Sequence, residues 1–450
     1  METKLTKKYG LVTAICLVVG IVIGSGVFFK AQDVLMHTKG NMPLGIIAWA
    51  IGGAIMMICA LAFSQLATKY EKVNGVVDYA EATCGKRYAY FVGWFMSLVY
   101  YPAMTSVLAF VSAKYTLVAA LGNDDKTFST ESITLALLYL VLAYFINTIA
   151  PRIAGKFQIS STVVKLIPIA FIAVVGTVIG LFNGTLVSNF SVEYSASVEN
   201  PGLFPAICST IFAYEGWIVA TAINSEIRDS KRNLPIALCL GTLIIVAAYT
   251  LYNVGVLGLA EINSLSGGTY VAFGFFGDAA AVIINVLVVI SCLGTLNGLM
   301  LGCTRGIYSL SARGEGLSPE TFVQIDKKTN MPHNSSSFAL LMCAIWFVYF
   351  IFSATGVFGE YGFDSSELPI ITVYPLYIPI FIIMMIKEKD VHPFKRFVLP
   401  ILSLFGIGVI IYASIRSHGM DNVWYLIVFA VIMLLGFAVM VYNEKQSKKQ

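Results

Sequence analysis

The chain has 450 residues, of which 58% are apolar or aromatic and only 12% are charged, about half of the roughly 25% charge typical of soluble domains. That balance excludes an ordinary water-soluble globule and makes the lipid bilayer the solvent to argue from. A net charge of +4 supplies no basic stripe for nucleic acid.

A transmembrane helix needs about 20 mainly apolar residues. Twelve stretches meet that need, at residues 11–36, 42–66, 88–113, 133–149, 159–182, 201–224, 234–259, 273–310, 338–352, 368–386, 394–415 and 423–441. The first apolar run is too long for a cleavable signal peptide and is followed by no small-residue cleavage site, so it reads as a span. The twelve-span reading has an independent check in the basic residues, which collect in cytoplasmic loops. Lys30, Lys39, Lys114, Lys126 and Arg416 fall on one side, Lys165 lies within a span, and the other 23 of the 29 basic residues fall on the opposite side. The bias places residues 1–10 and the tail 442–450 in the cytoplasm.

In chain order, the first span carries Gly24-Ser25-Gly26 inside an apolar run, and two glycines around a serine weaken a helix there. The fifth span carries Lys165, a charge so expensive in hydrocarbon that it must face protein or water unless it snorkels to the surface; facing protein, its ammonium is expected to donate to exposed carbonyls around Gly24 and tie the fifth span to the first. The sixth span carries Phe212-Ala213-Tyr214-Glu215-Gly216-Trp217, with a carboxylate and a glycine at mid-depth. Five spans separate the two interruptions, and an odd number inverts the direction of entry. The predicted fold is therefore all-α, with an inverted repeat of residues 11–182 against 201–387, followed by two further spans in 394–441.

Backbone groups stripped of helical partners cost several kcal/mol each in hydrocarbon, so such breaks imply a ligand. The amides beginning the second half-helices, near Ser25 to Val27 and near Gly216, suit a carboxylate. The carbonyls ending the first halves, at Val22 and at Phe212 to Glu215, suit an ammonium group. An α-amino acid supplies both. The plainer alternative is that these glycines only let helices pack closely. Glu215 could carry a proton, meet a substrate amine, or cap backbone amides. Tyr249 in the seventh span and Ser291 and Asn297 in the eighth read as polar struts between helices.

The eight cysteines have no paired short spacing and the four histidines are scattered, so neither a disulfide framework nor a metal site is indicated, and no cofactor is expected. A membrane enzyme would need clustered catalytic groups, and no such cluster is present; a channel, less easily excluded by composition, would favour a continuous polar path or an oligomeric filter, and saturable counterflow separates it from a carrier. Oligomeric state is not legible, and a monomer is the simplest expectation.

The stretches Gly24-Ser25-Gly26-Val27-Phe28, Phe212 to Trp217, Arg232-Asn233-Leu234-Pro235, Ser291-Cys292-Leu293-Gly294 with Asn297-Gly298, and Arg313-Gly314-Glu315-Gly316-Leu317 resemble the amino acid–polyamine–organocation (APC) superfamily, in particular its L-amino acid transporter branch. The resemblance covers essentially the whole chain. It implies a leucine-transporter type of fold, twelve helices with the first and sixth unwound at mid-membrane, and sodium-independent exchange of small neutral L-amino acids such as alanine, serine and cysteine by alternating access in the cell membrane. By the same resemblance, the Val22, Phe212 and Glu215 carbonyls take the α-amino group and the Ser25 and Gly26 amides the carboxylate, with Gly24, Val27, Ala213 and Gly216 completing the pocket. Phe212 closes over the substrate, and Lys165 and Tyr249 match residues of the fifth and seventh spans that couple gating to binding, the lysine standing where sodium sits in sodium-driven carriers. The segment 114–132 lacks the cysteine by which human members bond a heavy chain, so no covalent accessory subunit is expected. Glu215 replaces a glycine of some human members, which keeps cationic or large neutral substrates and proton symport as alternatives.

Overall fold

The computed structural model describes residues 10–24, 26–70, 75–122, 128–190, 201–218, 227–267 and 269–447. Among these the chain is all-helical, with no β-strand. The first apolar stretch is two helices, α1 (Leu11–Val22) and α2 (Gly26–His37), with Ile23 extended between them at ψ 111°. Next come α3 (Met42–Lys69), the short α4 (Val76–Cys84) and α5 (Lys86–Leu121). The Asn41 side chain accepts from the Leu44 amide at 3.0 Å and Pro43 follows in the first turn, so α3 starts from a capped end. One wide π-turn, Met96–Tyr100, interrupts α5, and Gly122 at φ 75° terminates it. The first half of the chain closes with α6 (Thr130–Ile149), α7 (Pro151–Phe182) and α8 (Thr185–Asn189).

The second half opens on α9 (Leu203–Tyr214), which stops at Glu215 and Gly216; Trp217 and Ile218 are helical again where this described segment ends. It continues through α10 (Ser230–Leu259), α11 (Asp278–Ser311), α12 (Pro319–Phe322), α13 (His333–Ala354), α14 (Leu368–Lys387), α15 (Phe394–His418) and α16 (Asp421–Ser447). The eighth span was expected to begin at 273. Its helix begins instead at Asp278, because Gly277 sits at φ 85°, and Thr269–Phe276 form 3₁₀ turns.

Ten of these helices are long and apolar enough to cross a membrane, namely α3, α5, α6, α7, α10, α11, α13, α14, α15 and α16. The other two expected spans are the ones that break. Large apolar side chains point outward along the long helices, for example Leu138, Phe145, Ile283, Ile345, Phe405 and Leu434, as lipid-facing surfaces require. In water they would form exposed patches far larger than a soluble monomer tolerates.

Inside the bundle, α5 packs along α11, α10 along α1 and α3, and α9 against α2, α3 and α15. Small residues allow the close approaches. Gly176 and Gly180 of α7 meet Gly255 and Gly258 of α10 backbone to backbone, where any Cβ would strike the facing chain. Gly52 and Gly53 of α3 make room for Thr210 and Tyr214 of α9.

Candidate functional site

The last intrahelical bond of α1 runs from the Ile23 amide to the Val19 carbonyl at 2.9 Å. The carbonyls after Val19 have therefore lost their helical donors. Two side chains from other helices supply replacements. Lys165, 2% exposed in α7, donates its ammonium to the Gly20 carbonyl. Tyr249 of α10 places its hydroxyl 3.2 Å from the Val22 carbonyl and 3.2 Å from the Ala213 carbonyl. One phenolic proton thus serves carbonyls from both broken helices. The lysine was expected near Gly24; it reaches one helical turn earlier, where the unpaired carbonyls begin.

In the second break, Glu215 is extended at ψ 153° and its amide bonds to the Phe212 carbonyl at 3.3 Å. Gly216 follows at φ 108°, a conformation that favours glycine. The Glu215 carboxylate accepts from the Tyr100 hydroxyl through Oε1 at 2.6 Å, and Oε2 has no hydrogen-bond partner among the described residues. Tyr100 is set toward Glu215 by the π-turn of α5.

The two breaks face each other. A Cβ added at Gly26 would lie 2.5 Å from the Ala213 Cα, so the start of α2 rests on the end of α9. The Phe29 and Phe212 rings pack edge to face at 5.8 Å. Val22, Gly24, Gly26, Val27, Phe212, Ala213, Glu215 and Gly216 are thereby brought to one locus, with Ser25 outside the described residues. Amides with no intrahelical acceptor begin α2 there, and carbonyls with no intrahelical donor end α1 and α9. Thr295 of α11, which sequence reasoning passed over, closes the space beside Gly24, its Oγ1 lying 2.7 Å from where a Cβ would stand. Asn297 ties three helices, donating to the Ala154 carbonyl at 3.2 Å and to Gln158 at 3.0 Å while accepting from Asn147 at 2.9 Å. Ser291 instead has a buried hydroxyl without a partner among the described residues.

Charged clusters mark the two ends of α14. At its start, Glu367 bonds Lys30 of α2 at 2.6 Å and His418 of α15 at 3.0 Å. Beyond its other end, Glu388 and Asp390 hold Lys69 of α3 at 2.5 and 2.7 Å, and Glu388 accepts from the Tyr70 hydroxyl at 2.8 Å. The Lys69 hydrogen bond keeps the exposed Asp390 carboxyl below its ordinary pKa. Arg313, at the turn after α11, forms a similar pair with Asp78 of α4 and meets Glu81 at 3.3 Å.

Residues 9–438 match the amino acid permease family model. The chain belongs to the amino acid permease family of the APC superfamily. This permease is 29% identical over 432 residues to the serine/threonine exchanger SteT of Bacillus subtilis (strain 168), covering 93% of this chain and 94% of the relative. It is 26% identical over 451 residues to the b(0,+)-type amino acid transporter 1 of Mus musculus, covering 98% and 89%. To the mouse Asc-type amino acid transporter 1 it is 26% identical over 348 residues, covering 75% and 63%. The permease is thus a multi-span amino acid transporter and not an enzyme.

Proposed function

We propose that this permease is a sodium-independent exchanger of small neutral L-amino acids, alanine, serine and cysteine among them, working by alternating access in the cell membrane. The observation that carries this reading is the meeting of two helix breaks, with Gly26 against Ala213 and one Tyr249 hydroxyl between the Val22 and Ala213 carbonyls. The substrate carboxylate would rest on the amides of Ser25, Gly26 and Val27 at the start of α2. Its ammonium would take the carbonyls of Val22, Phe212 and Glu215. Gly24 and Gly216 give the backbone its turns, Phe212 covers the bound molecule, and Lys165 and Tyr249 link its arrival to movement of the half-helices. Lys165 supports independence from sodium, since its ammonium already brings a positive charge to a carbonyl bared by the first break.

In this reading α1 with α2 counts as the first span and α9 with its continuation as the sixth, giving twelve. Residues 11–182 and 201–387 form the inverted repeats, 394–441 the last two spans, and 1–10 and 442–450 lie in the cytoplasm. The bilayer and the amino acid are the partners; no covalent heavy chain is invoked, and a monomer suffices. One observation favours a second reading. The Glu215 Oε2, without a hydrogen-bond partner among the described residues, could take a proton or the amine of a cationic side chain, giving proton symport or exchange of cationic amino acids.

Counterflow in proteoliposomes separates these. Efflux of labelled alanine that requires external amino acid, and ignores imposed sodium and pH gradients, is the expected result. Efflux driven by a pH gradient into amino-acid-free buffer would establish symport instead.

A further inference from the structure

Beside the helix breaks, with Lys30 between it and the Phe29 and Phe212 rings, a cavity of about 600 Å³ opens at the junction of α2, α9, the start of α14 and the end of α15. His418 and Glu367 line it, and the buried Cys208 stands directly behind them, so that three donors of different chemistry converge. The sulfur of Cys208 lies 3.6 Å from Nε2 of His418, the same Nε2 lies 3.0 Å from Oε2 of Glu367, and all three ligand atoms fall within 4.8 Å of one another. Cys208 and Glu367 are buried and the His418 side chain is 9% exposed. We propose that Cys208, His418 and Glu367 bind a zinc ion, and that the bound metal pins α9 to α14 and α15 and so arrests transport.

The spacing suits the ion. With Zn–S near 2.3 Å and Zn–N near 2.05 Å, tetrahedral geometry places sulfur and nitrogen about 3.5 Å apart, and nitrogen and carboxylate oxygen about 3.4 Å apart. The first separation is already present, and the second needs a small rotation of one side chain. Thiolate, imidazole and carboxylate are zinc's ordinary protein ligands, and the cavity that His418 and Glu367 line would supply water as the fourth. On binding, the Cys208 thiol releases its proton to bulk solvent and His418 presents a neutral nitrogen.

The electrostatics of the mouth favour a cation. Asp33, Glu360, Asp364, Glu367 and Asp421 line the cavity against one lysine, Lys30, and a cleft dominated by one sign concentrates the opposite ion. Lys30 does not occupy the ligand position. It bonds the other oxygen of Glu367, Oε1, at 2.6 Å, and is itself balanced by Asp33 at 3.0 Å. The metal would therefore extend the existing tie between α2 and α14 to α9, the first half of a broken helix.

The binding half of the proposal stands on geometry alone; the arrest rests on the exchanger reading. The test is titration of zinc chloride into the metal-free, detergent-purified full-length protein by calorimetry, repeated on Cys208→Ser and His418→Gln. One zinc per chain, weakened about tenfold or more in both variants, is expected. No binding, or equal binding in both variants, would mean an adventitious ion only and overturn the site. Should either variant aggregate, cobalt(II) added to the unmodified protein reads the same coordination. An intense sulfur-to-metal band with tetrahedral absorption supports it, and a weak octahedral spectrum overturns it. In proteoliposomes, zinc should slow alanine counterflow about tenfold or more, reversibly with chelator and only while Cys208 is present; binding without slowing overturns the pinning. A preparation that binds zinc but never shows counterflow, even metal-free, overturns the exchanger reading and leaves the site standing.

Discussion

The two helix breaks solve one problem by partly different means. At the first, the stranded carbonyls are met from outside, by an ammonium from α7 and a phenol from α10. At the second, the sequence carries its own turn-former and its own charge in Gly216 and Glu215, α5 adds a hydroxyl to the carboxylate, and the same α10 phenol reaches the Ala213 carbonyl. Two helix breaks that face each other therefore need not be chemically alike. The first break takes both of its donors from other helices, so it can report their movement; the second takes its turn and its charge from its own residues and shares the Tyr249 hydroxyl with the first.

Four substitutions bear on this contrast. Lys165→Ala should have the largest effect, cutting counterflow by about 10- to 100-fold while the protein still inserts, because a hydrogen bond from a charged donor contributes about 1.5–3 kcal/mol. Wild-type rates in a normally inserted mutant would refute the claim that the first break leans on α7. Gly26→Ala tests the junction. Its methyl would press on the Ala213 backbone, and strain of about 1–3 kcal/mol should appear as roughly tenfold weaker substrate affinity and a lowered melting temperature.

Tyr249→Phe removes the one hydroxyl the two breaks share, and a neutral hydrogen bond of about 1 kcal/mol predicts roughly a fivefold loss in alanine affinity. An unchanged affinity would make the tyrosine a packing residue. The smallest effect is expected from Glu215→Gln, whose amide can still accept from Tyr100; alanine exchange should change by only a few-fold, about 1 kcal/mol separating charged from neutral acceptors. Loss of competition by lysine or arginine in that variant would show that the carboxylate reads substrate charge.

Hydropathy made the membrane spans visible because bilayer thickness imposes a minimum apolar length, and the breaks were visible because Gly24, Gly26 and Gly216 stand where a lipid-facing helix has no use for them. Lys165 was conspicuous for the same reason. Its partner was less so: the expected region was Gly24, but the observed acceptor is Gly20, since which carbonyls go unpaired depends on where α1 stops. Tyr100 escaped notice because a π-turn leaves no mark in hydropathy. The Lys30, Glu367 and His418 cluster escaped because its members are 337 and 51 residues apart in the chain, a proximity that only the packing of α2, α14 and α15 creates. Thr295 looked like any other threonine in an apolar helix until Gly24 was placed beside it.

The seam of glycines between α7 and α10 has a mechanical consequence. Lys165 rides on one of these helices and Tyr249 on the other, and both grasp the end of α1. With Gly176 and Gly180 seated directly on Gly255 and Gly258, no pliable side chains lie between the two supports, so they act as the jaws of a single rigid clamp. A methyl group inserted at Gly255 would splay those jaws, and would be felt at the substrate as a misplacement of the parts that hold it, without any change to the residues that touch it.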